Sequence, residues 1–243
     1  MGLKVLIFGA GAVGSTFGGF LSRDHEVTLL GRPEHLRALR QKGLTVTGIW
    51  GRHHFTEFSF ATEVRPLRRE NFDLILLTVK AYDTQAAAKQ LRSVVGPRTL
   101  ILSLQNGLGN IEALHKIFPQ NKILAGRVIF GAVIPKPGQV KITVMAHPTA
   151  IGETSVKRET PRLKHMVRQF KKAGLPVAAA KDIQALLWAK VIYNCALNPL
   201  ASLLECHYGH LMEKDGTRKM MNLVIGEIYQ LARRMKIKFW RDA

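Results

Sequence analysis

Gly9-Ala10-Gly11-Ala12-Val13-Gly14 follows directly on the apolar run Lys4-Val5-Leu6-Ile7-Phe8 and opens a segment, Ala12 to Ser22, with helical spacing and small residues. In a strand-turn-helix unit the first glycine allows the tight turn and the second lets backbone approach a pyrophosphate. The third permits close helix-to-strand packing, and the helix N-terminus stabilises the anion. Gly9, Ala10, Gly11, Ala12, Val13 and Gly14 are therefore candidate dinucleotide-binding residues. After the next strand, where an acid commonly holds a ribose 2′-hydroxyl, the chain has Gly31-Arg32. A guanidinium there can hold a 2′-phosphate through bidentate, charge-assisted hydrogen bonds, which favours NADP(H), with Glu34 nearby as the competing signal.

Two further polar residues stand where strands deliver side chains to the carboxyl edge of a sheet: Lys80, closing DLILLTVKAYD, and Asn106, in LSLQNGLGN. A third group lies on a segment that looks built for burial. LLWAKVIYNCALNPLASLL, from Leu186 to Leu204, carries Lys190, Asn194 and Asn198 at four-residue intervals. Residues four apart share a helix face, and burying such a stripe unpaired costs about a few kcal/mol per group. The stripe must therefore meet water, a neighbouring domain or a ligand. Proline disfavours the helical conformation of its predecessor, so Asn198-Pro199 predicts a kink or a helix end at Asn198.

The elements around these residues define an α/β protein. The runs 4–8, 25–30, 73–79 and 99–104 are continuous apolar strands separated by helical patterns, which argues for a parallel sheet covered on both faces. ILAGRVIFGAVIPKPGQVKITV contains two strand-like runs around Pro135-Lys136-Pro137-Gly138, read as a hairpin extending that sheet. A charged helix from Glu159 to Ala173 and a short strand in GLPVAAAKDI follow. From Ile183 the pattern is helical, with a polar connector at 205–215 and an amphipathic segment at 217–235. A boundary near Ala180 gives a dinucleotide-binding domain, 1–180, and a smaller helical domain, 181–243.

Composition narrows the function classes. With 243 residues and 47% hydrophobic content the chain can bury a sizeable core. The formal net charge of +19 raises nucleic acid and membrane surfaces as partners. The basic residues are scattered, however, with no aromatic-interleaved stripe, so a basic surface attracting small anions is expected rather than nucleic acid. Lys181, Asp182 and Lys190 interrupt the best membrane-span candidate, and the N-terminal apolar run lacks the features of a signal peptide. The two cysteines, Cys195 and Cys206, form no paired pattern and fit a reducing, cytoplasmic setting. Cys206, His207, His210 and Glu213 match no standard ligand spacing, and no metal is expected.

GAGAVGS, GRPEH, LLTVKAYDT, LSLQNGLGN, GAVIPKPGQV and above all LLWAKVIYNCALNPLASLL together resemble the ketopantoate reductase family over nearly the whole chain. The resemblance implies an N-terminal Rossmann-type doubly wound sheet and a helical C-terminal domain. It also implies NADPH-dependent reduction of 2-dehydropantoate to pantoate, a step of pantothenate and coenzyme A biosynthesis. It assigns Lys190 as general acid, Asn194 and Asn198 as substrate ligands, and Lys80 and Asn106 as contacts to cofactor and substrate. Reduction of the C2 ketone of an α-keto acid leaves an alkoxide, which needs a proton and charge stabilisation; a lysine, ordinarily protonated at neutral pH, can supply both. The resemblance further implies helices beyond Ala243 carrying a serine and a glutamate, so the helical domain reads as truncated. Its missing wall would come from further chain or from a second subunit, as in a homodimer, and turnover by this chain is expected to be weak or absent. Reduction of a different α-keto or β-hydroxy acid, and non-enzymatic NADPH binding, are the alternative functions.

Overall fold

Alternate residues of Lys4-Val5-Leu6-Ile7-Phe8 are buried on opposite faces. Val5 and Ile7 join one apolar cluster, Leu6 and Phe8 the other. This run is β1 (Lys4–Phe8), central to a sheet that needs cover on both sides. The computed structural model describes residues 2–239, except the side chain of Asn121, and divides into two compact units, Met1–Ile183 and Gln184–Ala243.

In the first unit β1 leads into α1 (Ala12–Leu21), β2 (Glu26–Leu30) and α2 (Pro33–Lys42). Three short strands follow, β3 (Leu44–Gly48), β4 (His53–Phe55) and β5 (Ser59–Ala61). The chain then alternates through β6 (Leu74–Leu77), α3 (Thr84–Leu91), β7 (Leu100–Ser103), α4 (Asn110–His115) and β8 (Ile123–Arg127). The unit ends with the hairpin β9 (Phe130–Val133) and β10 (Gln139–Met145), then β11 (Thr149–Glu153), α5 (Pro161–Lys172) and β12 (Val177–Ala180).

The main sheet runs β12-β11-β8-β7-β6-β1-β2-β5. The six strands from β8 to β5 are mutually parallel, in the doubly wound order with its direction change between β1 and β6. β11 joins antiparallel to β8, and β12 returns parallel to β11. One face is covered by α1, α2, α5 and a second sheet, the other by α3 and α4.

That second sheet corrects one expectation. The 130–145 hairpin does form, but it does not extend the main sheet: β10 pairs parallel with β3, giving a separate order β4-β3-β10-β9. Its apolar residues Val46, Phe55, Val140 and Ile142 pack on the cluster built from α1 and the main sheet. Burying that face is what holds the hairpin to a strand some ninety residues earlier, whereas on the main sheet's edge the same face would be left to solvent.

The second unit contains most of α6 (Ile183–Leu203), then α7 (Tyr208–Leu211) and α8 (Asp215–Arg234). The connector expected at 205–215 thus includes a short helix. Pro199 lies inside α6, which continues to Leu203, so the helix does not end at Asn198. Among the described residues of this unit Ala196, Leu200, Leu211 and Met221 are buried together. Leu203, Leu204, Leu223 and Leu231 are all exposed. No helix among the described residues is long and apolar enough to cross a membrane.

Candidate active site

The glycine loop joins β1 to α1 at the point where the strand order reverses. Gly9 has φ +112°, and its amide and that of Ala10 both donate to the carbonyl of Leu30, at 3.0 and 2.8 Å. Gly14 is required for a different reason: a Cβ there would stand 2.3 Å from the Gly9 carbonyl oxygen and 2.6 Å from Thr78 Oγ1. Gly11 is the reverse case, since a Cβ on it would meet nothing within 4 Å. Gly11 is also the N-cap of α1, and no side chain caps that helix. Open space in front of uncapped N–H groups is what a bound pyrophosphate fills, so the loop fits the dinucleotide its sequence implies.

A relay supports this loop from behind. Gly138 N–H donates to His35 Nδ1 (3.4 Å), which leaves the proton on Nε2 to be donated to Ser15 Oγ (3.1 Å). Ser15 Oγ–H in turn donates to the Ala10 carbonyl at 3.3 Å. Burial holds the His35 imidazole below its usual pKa, in the neutral form that the relay needs. Neither His35 nor Ser15 was legible as a site residue, because their roles depend on the distant hairpin turn.

Arg32 sits between β2 and α2 as the N-cap of α2, exposed, with Pro33 as the first helical residue. Lys80 follows β6 and is exposed, and Asn106 follows β7, also exposed. Leu77 pairs with Ser103, so Lys80 and Asn106, each three residues further on, leave adjacent strands at the same edge.

A buried polar network locks the two loops together. Ser103 Oγ–H donates to Gln105 Oε1 at 3.1 Å, while Gln105 Nε2 donates to the Val79 carbonyl (3.0 Å) and to Thr84 Oγ1 (2.8 Å). Thr84 Oγ1–H donates to Asn110 Oδ1 at 2.7 Å, and Asn110 Nδ2 returns to the Asn106 carbonyl at 3.0 Å. A fully satisfied buried network of this kind fixes the backbone on either side of it. Sequence reasoning missed Gln105, Thr84 and Asn110; the only trace was polar residues close to the two motifs.

In the helical unit Lys190, Asn194 and Asn198 all lie on α6. At 3.6 residues per turn each step of four drifts by about 40°, so the three form one stripe. Lys190 and Asn194 are partly buried and Asn198 is exposed. Tyr208 donates its hydroxyl to Asn198 Oδ1 at 2.6 Å, and its ring packs edge-on against Tyr193, centroids 6.0 Å apart. With Oδ1 engaged, the group by which Asn198 could meet a ligand is its NH₂, a donor suited to an oxygen acceptor. His210 pairs with Glu213 at 3.2 Å.

A doubly wound sheet with a pyrophosphate cradle at its crossover, followed by a helical unit, defines an α/β dinucleotide-binding protein of the dehydrogenase kind. Residues 5–155 match the family Ketopantoate reductase PanE/ApbA, and residues 182–243 match Ketopantoate reductase PanE/ApbA C terminal. The chain is 39% identical to the 2-dehydropantoate 2-reductase of Aquifex aeolicus, covering 100% of this chain and 77% of that protein. It is 33% identical to the enzyme of that name from Pyrococcus horikoshii, over 98% of this chain and 76% of the relative. Among solved structures, the PanE/ApbA family ketopantoate reductase from Ralstonia eutropha superposes with a TM-score of 0.87 at 32% identity, covering 99% of this chain and 77% of that one. The chain belongs to the ketopantoate reductase family, whose members are NADP-dependent oxidoreductases acting on a CH–OH group.

Proposed function

We propose that this chain catalyses the NADPH-dependent reduction of 2-dehydropantoate to pantoate. The observation that carries the reading is the 39% identity to a 2-dehydropantoate 2-reductase across the whole chain. The cradle at Gly9–Gly14 would hold the pyrophosphate and Arg32 the 2′-phosphate of NADPH, which supplies the hydride when bound. Lys80 and Asn106 would border the reacting end from the sheet. On α6, Lys190 would protonate and neutralise the developing C2 alkoxide, while the carboxamides of Asn194 and Asn198 orient the substrate's oxygens without adding negative charge. The loss of NADPH absorbance on adding 2-dehydropantoate tests the reading, with a panel of other α-keto acids run beside it. Turnover confined to another acid, or NADPH binding with no turnover of any, would replace it.

Arg32→Ala is expected to weaken NADPH binding by about 10- to 100-fold, the worth of charge-assisted hydrogen bonds to one phosphate, and to leave NADH binding unchanged. Fluorescence titration with the two nucleotides decides this. Equal affinities for NADPH before and after substitution would place the 2′-phosphate elsewhere.

The same reading includes a cytoplasmic enzyme, supported by the free thiols of Cys195 and Cys206. It takes the basic surface as a field for anionic small molecules rather than for nucleic acid. It also includes a homodimer, supported by the exposed leucines of the helical unit, Leu203, Leu204, Leu223 and Leu231.

A further inference from the structure

Arg127 closes β8, and the register says what it borders. Leu77 of β6 pairs with Ser103 of β7, and Ser103 with Ala125 of β8. Lys80 and Asn106 lie three residues beyond their paired positions and Arg127 two beyond its own, so the three leave neighbouring strands at one edge. Strand alternation fixes the face. Leu124 and Val128 join the cluster under α1 and α5, while Ile123 joins the cluster under α3 and α4. Arg127 therefore belongs to the α3/α4 face, which Ser103 shares through its pairing with Ala125.

The guanidinium there is an anomaly. Its Nε is shielded from solvent and has no hydrogen-bond acceptor among the described residues, and burial pulls the group below the usual arginine pKa. Other partly buried cations of this unit are matched. Arg162 meets Glu153, Lys4 meets Glu70, and Lys122 donates to the carbonyls of Gly96 and Pro97. A desolvated donor left unpaired costs about 1–3 kcal/mol, a cost that an arriving acceptor would remove.

An arginine fork is suited to a planar, two-oxygen anion. The pyrophosphate cradle lies at β1, three strands from β8 and so about 14 Å away at the usual strand spacing. With Arg32 at the end of β2 marking the adenosine half, the second mononucleotide half lies over β6, β7 and β8, where hydride transfer takes place. We propose that Arg127 anchors the carboxylate of the 2-oxo acid, holding the neighbouring ketone at the reacting end of the dinucleotide. The proposal rests on the reductase reading and names the group by which it selects acids.

The test compares 2-dehydropantoate with its C1 amide in the wild-type chain, Arg127→Gln and Arg127→Lys, alongside NADPH binding. Arg127→Gln should raise KM for the acid about 10- to 100-fold and leave that for the amide and the NADPH affinity within about two-fold. Arg127→Lys, keeping charge without the fork, should fall between. An unchanged preference for acid over amide in Arg127→Gln would overturn the assignment, as would an equal loss for both substrates or a parallel loss of NADPH binding. Should the wild-type chain reduce another 2-oxo acid and not 2-dehydropantoate, the reductase reading fails on substrate. The acid-to-amide comparison made on that acid still decides the role of Arg127.

Discussion

Lys190→Ala is expected to lower kcat for 2-dehydropantoate by about 10²- to 10⁴-fold, the range for removing a positioned general acid, while NADPH binds as before. The separation follows from the fold. The cradle and Arg32 belong to the Met1–Ile183 unit and Lys190 to the other, so the substitution leaves every proposed cofactor contact intact. In the proposed role it would take away a proton and a positive charge needed only as the alkoxide forms, so the loss should appear in kcat and kcat/KM together rather than in KM. Lys190→Arg divides the two roles. Arginine keeps the charge but does not give up a proton at neutral pH, so it should recover only part of the rate. A Lys190→Ala chain with wild-type turnover would remove Lys190 from the chemistry.

Arg162→Ala is expected to destabilise the Met1–Ile183 unit by about 3–5 kcal/mol at neutral pH, a large part of the 5–15 kcal/mol typical of a domain. Glu153, at the end of β11, has a fully buried side chain. Arg162 Nε donates to its Oε1 at 2.8 Å, a second guanidinium nitrogen reaches Oε2, and the Thr160 hydroxyl also donates. Burial alone would push this carboxyl up, and the bonds from Arg162 and Thr160, with the Arg162 charge, outweigh it and hold the pKa below the usual value. In the wild-type chain the depressed pKa contributes stability that is complete above the ordinary glutamate range, near 4.3, and is lost as pH falls through the folded-state value. Without Arg162 burial dominates and the folded-state pKa moves up. The variant is then relieved as protons bind, so its deficit should narrow on acidification from neutral pH toward 5. Denaturant unfolding at the two pH values measures this; a deficit under about 1 kcal/mol, or one that does not narrow, would show that Glu153 is held by other means.

The parts of this fold legible in the sequence are those specified by neighbours along the chain. β1, the glycine turn and α1 lie within eighteen residues, and apolar runs, glycine spacing and helical periodicity each act over that range. The second sheet escaped because β3 and β4 are short and polar-interrupted, with two histidines in His53-His54-Phe55, and β10, the strand that joins β3 to the hairpin, follows some ninety residues after β3. The local preference of a residue before proline predicts a kink or a helix end at Asn198, and the end does not occur there. The packing of Leu200 and Ala201 beyond it, against Leu211 and Met221, carries α6 on to Leu203. The candidate site divides the same way. Gly14 announces itself by type and place, whereas Arg127 reads in the sequence only as a charge ending a strand. What sets it apart is visible only in the fold, where its Nε is shielded from solvent and meets no acceptor among the described residues.

The relay from Gly138 through His35 and Ser15 to Ala10 bears on the order in which the molecule is assembled. Its first link joins residues 103 positions apart, so local closure of the first βαβ unit cannot complete it. The parallel pairing of β3 with β10 has to form first, and non-local pairings of that span are the slow, late events of folding. A chain emerging N-terminus first makes its glycine turn early but supports it only after the hairpin has arrived. Nucleotide affinity should thus be among the last properties of the domain to mature.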